Sequence, residues 1–368
     1  MRVLRITLRD FRCYCIARAE LGEHLTVVSG PNGAGKTNLL EAIYFGCTGR
    51  SCATTNEREV VRFGAGATRV VLEAGAPDGC HELAVGFMPG QPKRMHFDGA
   101  PVERLIDVGD RPLVSVFLPD RLELIKGPPA LRRAHLDRFV TALWPARKGT
   151  RQAYAQALAQ RNALISSIRS GRGSRASLCT WDSQLASHGV ALMADRGRAV
   201  AAISETFAAS SAALGLDGDP SVAYRPRSHA AQAAELAAEL AERVEGDLER
   251  GFTSHGPHRD ELATVRVGRE LRTYGSQGQQ RLALLALLLA EREVIASYRG
   301  AAPLMLLDDV MSELDHEHRR SLVDLLSDSG GQSVITTTDL EHVPGAMDDE
   351  VTRLEVSDGR LLAQTAAI

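Results

Sequence analysis

The sequence predicts an α/β fold of mixed sheets: a phosphate-loop core split into two lobes by a mainly helical insertion. Three observations predict it. First, Gly30-Pro31-Asn32-Gly33-Ala34-Gly35-Lys36-Thr37 has the pattern G-x-x-x-x-G-K-[ST]. It lies between a β-branched run, Leu25–Ser29, and the start of an amphipathic helix over 38–45, which is the context such a loop requires. Second, an apolar run closed by two acids, Pro303-Leu304-Met305-Leu306-Leu307-Asp308-Asp309, reads as a buried strand roughly 270 residues downstream. Third, residues 120–250 change to helical patterning, and an insertion there accounts for that distance.

Taken in order, the first lobe covers 1–118. Leu4, Ile6 and Leu8 alternate with Arg5, Thr7 and Arg9, which is strand periodicity and not a signal peptide. Runs at 69–74 and 82–88 flank the turn Ala76-Pro77-Asp78-Gly79 as paired strands. Arg94–Phe97 and 113–118 follow as strands, and Pro119 marks a break. The insertion, 119–250, holds four expected helices at 130–143, 151–170, 177–214 and 230–250, with a stray strand at 222–224. The second lobe, 251–368, carries a hairpin over Gly268-Arg269-Glu270, a helix over 277–297, strands at 303–307 and Ser333–Thr337, and a hairpin turning at Asp358-Gly359.

Composition is that of an ordinary globular protein, 44% hydrophobic and 24% charged. The longest apolar run, 282–290, is too short to span a bilayer, so a cytoplasmic protein without a membrane role is expected. Six cysteines show neither C-x-x-C pairs nor zinc spacing and read as free thiols. Net charge is −3, but it is unevenly placed. Between positions 121 and 175 there are twelve Lys/Arg against Glu123 and Asp137; from 301 to 368, fourteen acids stand against four arginines. The basic stretch points to an anionic partner, with Arg147, Lys148 and Arg151 as candidate DNA contacts.

The chemistry follows from residue types. Loop glycines let backbone N–H groups turn around an anion at a helix N-terminus. Lys36 can reach the β- and γ-phosphates of ATP, and the Thr37 hydroxyl can ligate Mg²⁺. Asp308, at the end of its strand, is the natural partner of Mg²⁺; Asp309 can orient or deprotonate an attacking water. A glycine-rich helix start, Tyr274-Gly275-Ser276-Gln277-Gly278-Gln279-Gln280-Arg281, offers a second anion-binding end.

The order of phosphate loop, Ser276-Gln277-Gly278-Gln279, the Leu306-Leu307-Asp308-Asp309 strand end and Ser312-Glu313-Leu314-Asp315 resembles the ABC-type ATPase heads of SMC-like proteins. Arg9-Asp10-Phe11-Arg12, His255-Gly256-Pro257-His258-Arg259-Asp260 and the Tyr274–Arg281 form narrow the resemblance to the RecF family of bacterial recombination mediators. The resemblance implies an ATPase head with a helical lid, and ATP held between two protomers of a homodimer. The loop of one protomer binds phosphates, and Ser276, Gly278 and Gln279 of the other cover them. Arg12 matches an arginine that reaches the nucleotide, and Asp309 takes the place of a glutamate base. It further implies slow hydrolysis, a DNA clamp acting at single-strand gaps and duplex junctions, RecR and RecO as partners in loading RecA, and roles in replication and the SOS response. Three departures argue against rapid turnover: Gly275 replaces the usual signature leucine, no glutamine lies between Arg111 and Arg121, and Thr336-Thr337-Thr338 lacks a switch histidine. The alternative, the nucleotide-binding subunit of an ABC transporter, sits badly with the insertion and the missing histidine. A small-molecule kinase gives the Ser276–Gln279 helix start no role.

Overall fold

Central parallel strands must be apolar on both faces, whereas an edge or one-sided sheet alternates. Both patterns are present in this chain. The computed structural model describes residues 1–109, 111–118, 122–328 and 330–363, the side chain of Ala363 excepted. Pro119 and Arg121, at the expected lobe boundary, lie outside the described residues. In chain order the first part contains β1 (Arg2–Phe11), β2 (Tyr14–Glu20), β3 (Leu25–Ser29), α1 (Lys36–Thr48), β4 (Thr68–Ala76), β5 (Gly79–Phe87), β6 (Arg94–Phe97), β7 (Ala100–Val102) and β8 (Val114–Phe117). The middle contains α2 (Glu123–Lys126), α3 (Pro129–Leu143), α4 (Lys148–Arg169), α5 (Leu178–Ala213), β9 (Ser221–Arg225), α6 (Ala233–Glu242), α7 (Val244–Arg250), β10 (Glu261–Arg266), β11 (Arg269–Glu270), α8 (Leu271–Tyr274) and α9 (Gln277–Arg299). The chain ends with β12 (Leu304–Leu307), α10 (His316–Asp328), β13 (Ser333–Thr337), β14 (Val351–Ser357) and β15 (Arg360–Ala363).

Two compact units result. The first comprises Met1–Arg121, Ala213–Gly215 and Ile295–Ile368; the second comprises Leu122–Ala212 and Leu216–Val294. In the first, an antiparallel sheet of order β2-β1-β4-β5-β6-β7 and a mixed sheet of order β15-β14-β3-β13-β12-β8 share one core with α1. β3, β12 and β13 are buried at every position and pair in parallel. β1 alternates, with Val3, Ile6, Leu8 and Phe11 inward.

The second unit extends beyond residue 250, the expected end of the insertion, to Val294. The reason is strand pairing: the supposed stray strand is β9, which pairs antiparallel with β10, Val222 opposite Thr264. The expected helix over 230–250 is two helices. Arg243, at φ −98° and ψ 3°, leaves the helical path between them. The second piece carries the buried Asp247, whose carboxylate takes hydrogen bonds from Arg161 and from Ser254. Local propensity favours one unbroken helix, and this buried acid overrides it.

Candidate nucleotide site

The phosphate loop connects β3 to α1 and is fixed from both sides. Gly30 is required by its neighbours: its φ is 151°, and a Cβ there would lie 2.2 Å from the Val356 carbonyl oxygen. The Tyr14 hydroxyl donates to the Gly35 carbonyl at 2.9 Å, and the Gly359 N–H donates to that of Ala34 at 3.1 Å. Pro31, Asn32 and Gly33 form the exposed outer part of the loop. Lys36 is buried, its ammonium donating to the carbonyls of Gly30 (2.8 Å) and Pro31 (3.1 Å). Burial lowers its pKa, and Asp309 and Asp308 oppose that shift.

The two acids meet the loop as the sequence predicts. β12 pairs with β8 and β13, so Asp308 emerges at the carboxyl end of the sheet. Its carboxylate accepts from the Thr37 hydroxyl at 2.8 and 3.0 Å and from the Thr336 hydroxyl at 2.7 Å. Desolvation raises its pKa; the two hydroxyls oppose the rise, and Asp309 adds to it. Asp309 adopts a left-handed backbone (φ 45°), and its N–H donates to the Thr336 hydroxyl at 2.9 Å. One carboxylate oxygen, Oδ2, accepts from Ser312 at 2.9 Å; the other, Oδ1, is buried without a partner. A buried carboxylate held by neutral hydroxyls, beside a second acid with an orphaned oxygen, fits a hard cation. Among the described residues no cluster of three or more His, Cys, Asp or Glu could hold a metal by itself. Thr37 and Asp308 would offer Mg²⁺ one hydroxyl and one carboxylate, and that ion is usually bound by only one or two protein carboxylates.

Thr336 escapes sequence reasoning as a site residue. It stands where a switch histidine was sought, and the parallel register of Leu307 with Ile335 is what sets it beside Asp308. Arg12 is placed on a residue the sequence did not single out. Its guanidinium makes a two-pronged pair with the buried Glu41 of α1 at 2.7 and 2.8 Å, which raises its pKa.

In the second unit, Ser276 caps α9. The Gln279 N–H donates to the Ser276 hydroxyl at 3.2 Å, and the Ser276 N–H donates to the Gln279 side-chain carbonyl at 3.0 Å. This is a capping box. A Cβ on Gly278 would meet nothing nearer than 4.0 Å, so packing within the chain does not demand that glycine. The run from His255 to Asp260 is a structural hub. The Tyr154 hydroxyl and His258 Nδ1 lie 2.7 Å apart, and His258 Nε2 donates to the Thr253 carbonyl at 2.9 Å. His255 binds Glu239 at 2.6 Å, and Asp260 binds Arg196 at 3.1 Å.

The basic stretch is less free than its sequence suggests. Arg132 pairs with Glu261, Arg161 with Asp182 and Asp247, and Arg175 with Glu245. Of the three candidate DNA contacts, Arg147 lies 3.7 Å from the buried Asp195 and Arg151 lies 3.1 Å from the buried Asp137. Counting charge along a window overlooks acids that the fold brings in from 182–261. The expectation of an uncompensated basic surface is corrected accordingly.

A family model described as an AAA domain matches residues 5–74. The chain is 37% identical to the DNA replication and repair protein RecF of Myxococcus xanthus, over all of this chain and 98% of the relative. It is 35% identical to the RecF of Chloroflexus aggregans over 99% and 100%. Its fold matches a structure of the recombination mediator protein RecF with ATP, with a TM-score of 0.85, 26% identity, and coverage of 99% and 98%. An SMC head bound to the C-winged helix domain of ScpA matches in fold alone, with a TM-score of 0.60 at 17% identity. No helix among the described residues is long and apolar enough to cross a membrane. An ATPase head of the ABC and SMC type, carrying a phosphate loop closed on Asp308 and sharing more than a third of its residues with the Myxococcus and Chloroflexus proteins over at least 98% of their length, belongs to the RecF family of DNA replication and repair proteins.

Proposed function

We propose that this protein is an ATP-gated DNA-binding clamp of recombinational repair in the bacterial cytoplasm. The observation that carries the nucleotide half is the closure of Thr37 on Asp308, two residues 271 positions apart. ATP·Mg²⁺ binds the 30–37 loop. Lys36 would exchange its loop carbonyls for β- and γ-phosphate oxygens, and Thr37 and Asp308 would hold Mg²⁺, which would neutralise phosphate charge. Asp309 orients the attacking water or takes its proton, and hydrolysis is slow and acts as a switch.

A second copy completes the site. Its Ser276, Gly278 and Gln279 approach the γ-phosphate; the open space over Gly278 and the exposed α9 N-terminus support this. Arg12 contributes to the nucleotide's surroundings while paired to Glu41. DNA gaps and junctions, RecR and RecO are the partners, and RecA loading is the outcome; the RecFOR pathway named for the matched structure supports the place beside RecO and RecR. Light scattering with and without ATP and Mg²⁺, then with gapped DNA, tests the reading. A monomer under every condition defeats the clamp. ATPase activity that responds to membranes and not to DNA favours the transporter alternative.

A further inference from the structure

The antiparallel sheet has two faces, and only one is needed by the core. On the inner face, Val70 and Leu72 of β4 lie against Gly46 of α1. On the other face the pairing register sets Ile16, Arg9, Arg69, Gly86 and Arg94 side by side across five strands. Residues directly opposite in a ladder share a face. Arg9, Arg69 and Arg94 are exposed. None of the three makes a side-chain hydrogen bond or ion pair among the described residues. That is not for want of acids on this sheet. Four residues along β1, Arg5 pairs with both Glu20 and Glu73. The acids are spent on that row and withheld from this one.

Between Arg69 and Arg94 is a glycine that the fold does not require. Gly86 has no left-handed backbone, and a Cβ there would meet nothing nearer than 3.9 Å. A glycine inside a strand weakens it and often marks a bulge, a tight bend or close approach by a ligand or another backbone; the register through Gly86 carries no bulge. Above it is a cleft of about 350 Å³ bordered by Arg69, Ala84, Gly86, Met88, Arg94 and His96 among others. No acidic side chain lines it among the described residues. Its volume falls at the lower end of the ~300–1,000 Å³ typical of small-ligand pockets. Arg69 and Arg94, two strands apart, stand about 10 Å apart along the sheet, a span that one phosphate group can bridge with two long side chains. Ala84 and Gly86 supply a flat floor, and Met88 an apolar wall.

We propose that this cleft binds one nucleoside 5′-monophosphate unit, its phosphate held between Arg69 and Arg94 and its base lying on the Ala84–Gly86 floor. The unit comes either from a free nucleotide or from a DNA strand; in the second case the inference rests on the DNA-clamp reading. The site is separate from the phosphate loop, since α1 packs on the opposite face of the sheet.

The test uses the full chain with Lys36→Met, so that the phosphate loop does not compete for nucleotide. A labelled, 5′-phosphorylated pentathymidylate is titrated by fluorescence anisotropy over a salt series, with dTMP, thymidine and orthophosphate as competitors. Arg69→Gln with Arg94→Gln should weaken the pentamer about tenfold. It should also lower the log–log salt slope by about 0.7, the value for one single-strand phosphate contact. Gly86→Leu, which keeps both cations and fits the strand, should block the cleft to a similar extent. dTMP should compete and thymidine should not. Competition by dTMP as strong as by unlabelled pentamer identifies free nucleotide as the source, and a large preference for the pentamer identifies the strand. Unchanged affinity in both variants, or orthophosphate competing as well as dTMP, overturns the proposal. Gapped-duplex binding by the wild-type protein with ATP is measured alongside. Its loss defeats the clamp reading and leaves dTMP to decide the cleft; its persistence with no dTMP or pentamer binding defeats the cleft alone.

Discussion

Lys36 and Asp309 are asked to do different work, and single substitutions separate them. Lys36→Met removes the only loop cation that can meet the β- and γ-phosphates. ATP affinity, measured by fluorescent-nucleotide titration, should fall at least about 100-fold, the loss of a charge-assisted contact in a buried setting. Asp309→Asn keeps the shape and should keep ATP affinity while slowing single-turnover hydrolysis by roughly 100-fold or more. Unchanged hydrolysis in that variant would remove Asp309 from the chemistry. His258 gives a residue-scale prediction about stability. Burial pushes its pKa down to about 4, against 6.5 for the unperturbed group. Between those values the unfolded chain binds more protons than the folded one, so stability rises with pH across that window. Acidification from 6.5 to 4 should therefore cost about 3 kcal/mol at this residue. Urea midpoints of the wild type and His258→Gln at pH 4.5 and 6.5 check it; a wild type no more acid-sensitive than the variant contradicts the assignment.

At the scale of the element, α9 has two claims on its first turn. Ser276 and Gln279 close a capping box that satisfies two backbone donors. Ser276→Ala should cost about 1 kcal/mol of stability, read from thermal unfolding of the apo protein. Ser276→Arg should leave ATP binding to the monomer intact and abolish the ATP-dependent dimer by placing bulk where the partner's γ-phosphate arrives. A monomer that loses nucleotide affinity in equal measure would instead place Ser276 in its own subunit's site. The broken helix α6–α7 teaches a related point. Alanine, glutamate and leucine over 230–250 favour one continuous helix, but the helix breaks at the single residue Arg243, and the second piece seats Asp247 against Arg161 and Ser254.

At the scale of the whole molecule, charge is redistributed by folding. Asp195 is buried, and its Oδ2 has no hydrogen-bond partner, so Arg147 is its nearby cation. Replacing Arg147, Lys148 and Arg151 together by Ala should cost up to about 1 kcal/mol of stability, because Asp195 loses Arg147 whereas Asp137 keeps its two hydrogen bonds from the buried Arg196. For DNA the same triple variant should reduce the log–log salt slope by less than the roughly two to three units that three free cations would contribute. A loss of two units or more, by anisotropy with ATP and Mg²⁺, would restore this helix as the main phosphate contact.

The loop, the acidic strand end, the Ser276 helix start and most strand limits were legible because each is local. Glycine spacing, β-branched runs and apolar periodicity act over a few residues, and β3, β6 and β13 fall where those patterns place them. What stayed hidden depends on partners far along the chain. Thr336 reaches Asp308 only through a parallel register. Arg12 finds Glu41, and Arg151 finds Asp137, only once strand and helices have packed. The same holds for the arginine row on the outer sheet face, whose members come from β1, β4 and β6. The sequence by itself determined the nucleotide chemistry, since backbone conformation and strand burial follow from neighbouring residues. Only the tertiary structure decided which charges are free, because a charge is neutralised by whatever lies within a few ångströms, and sequence distance does not measure that.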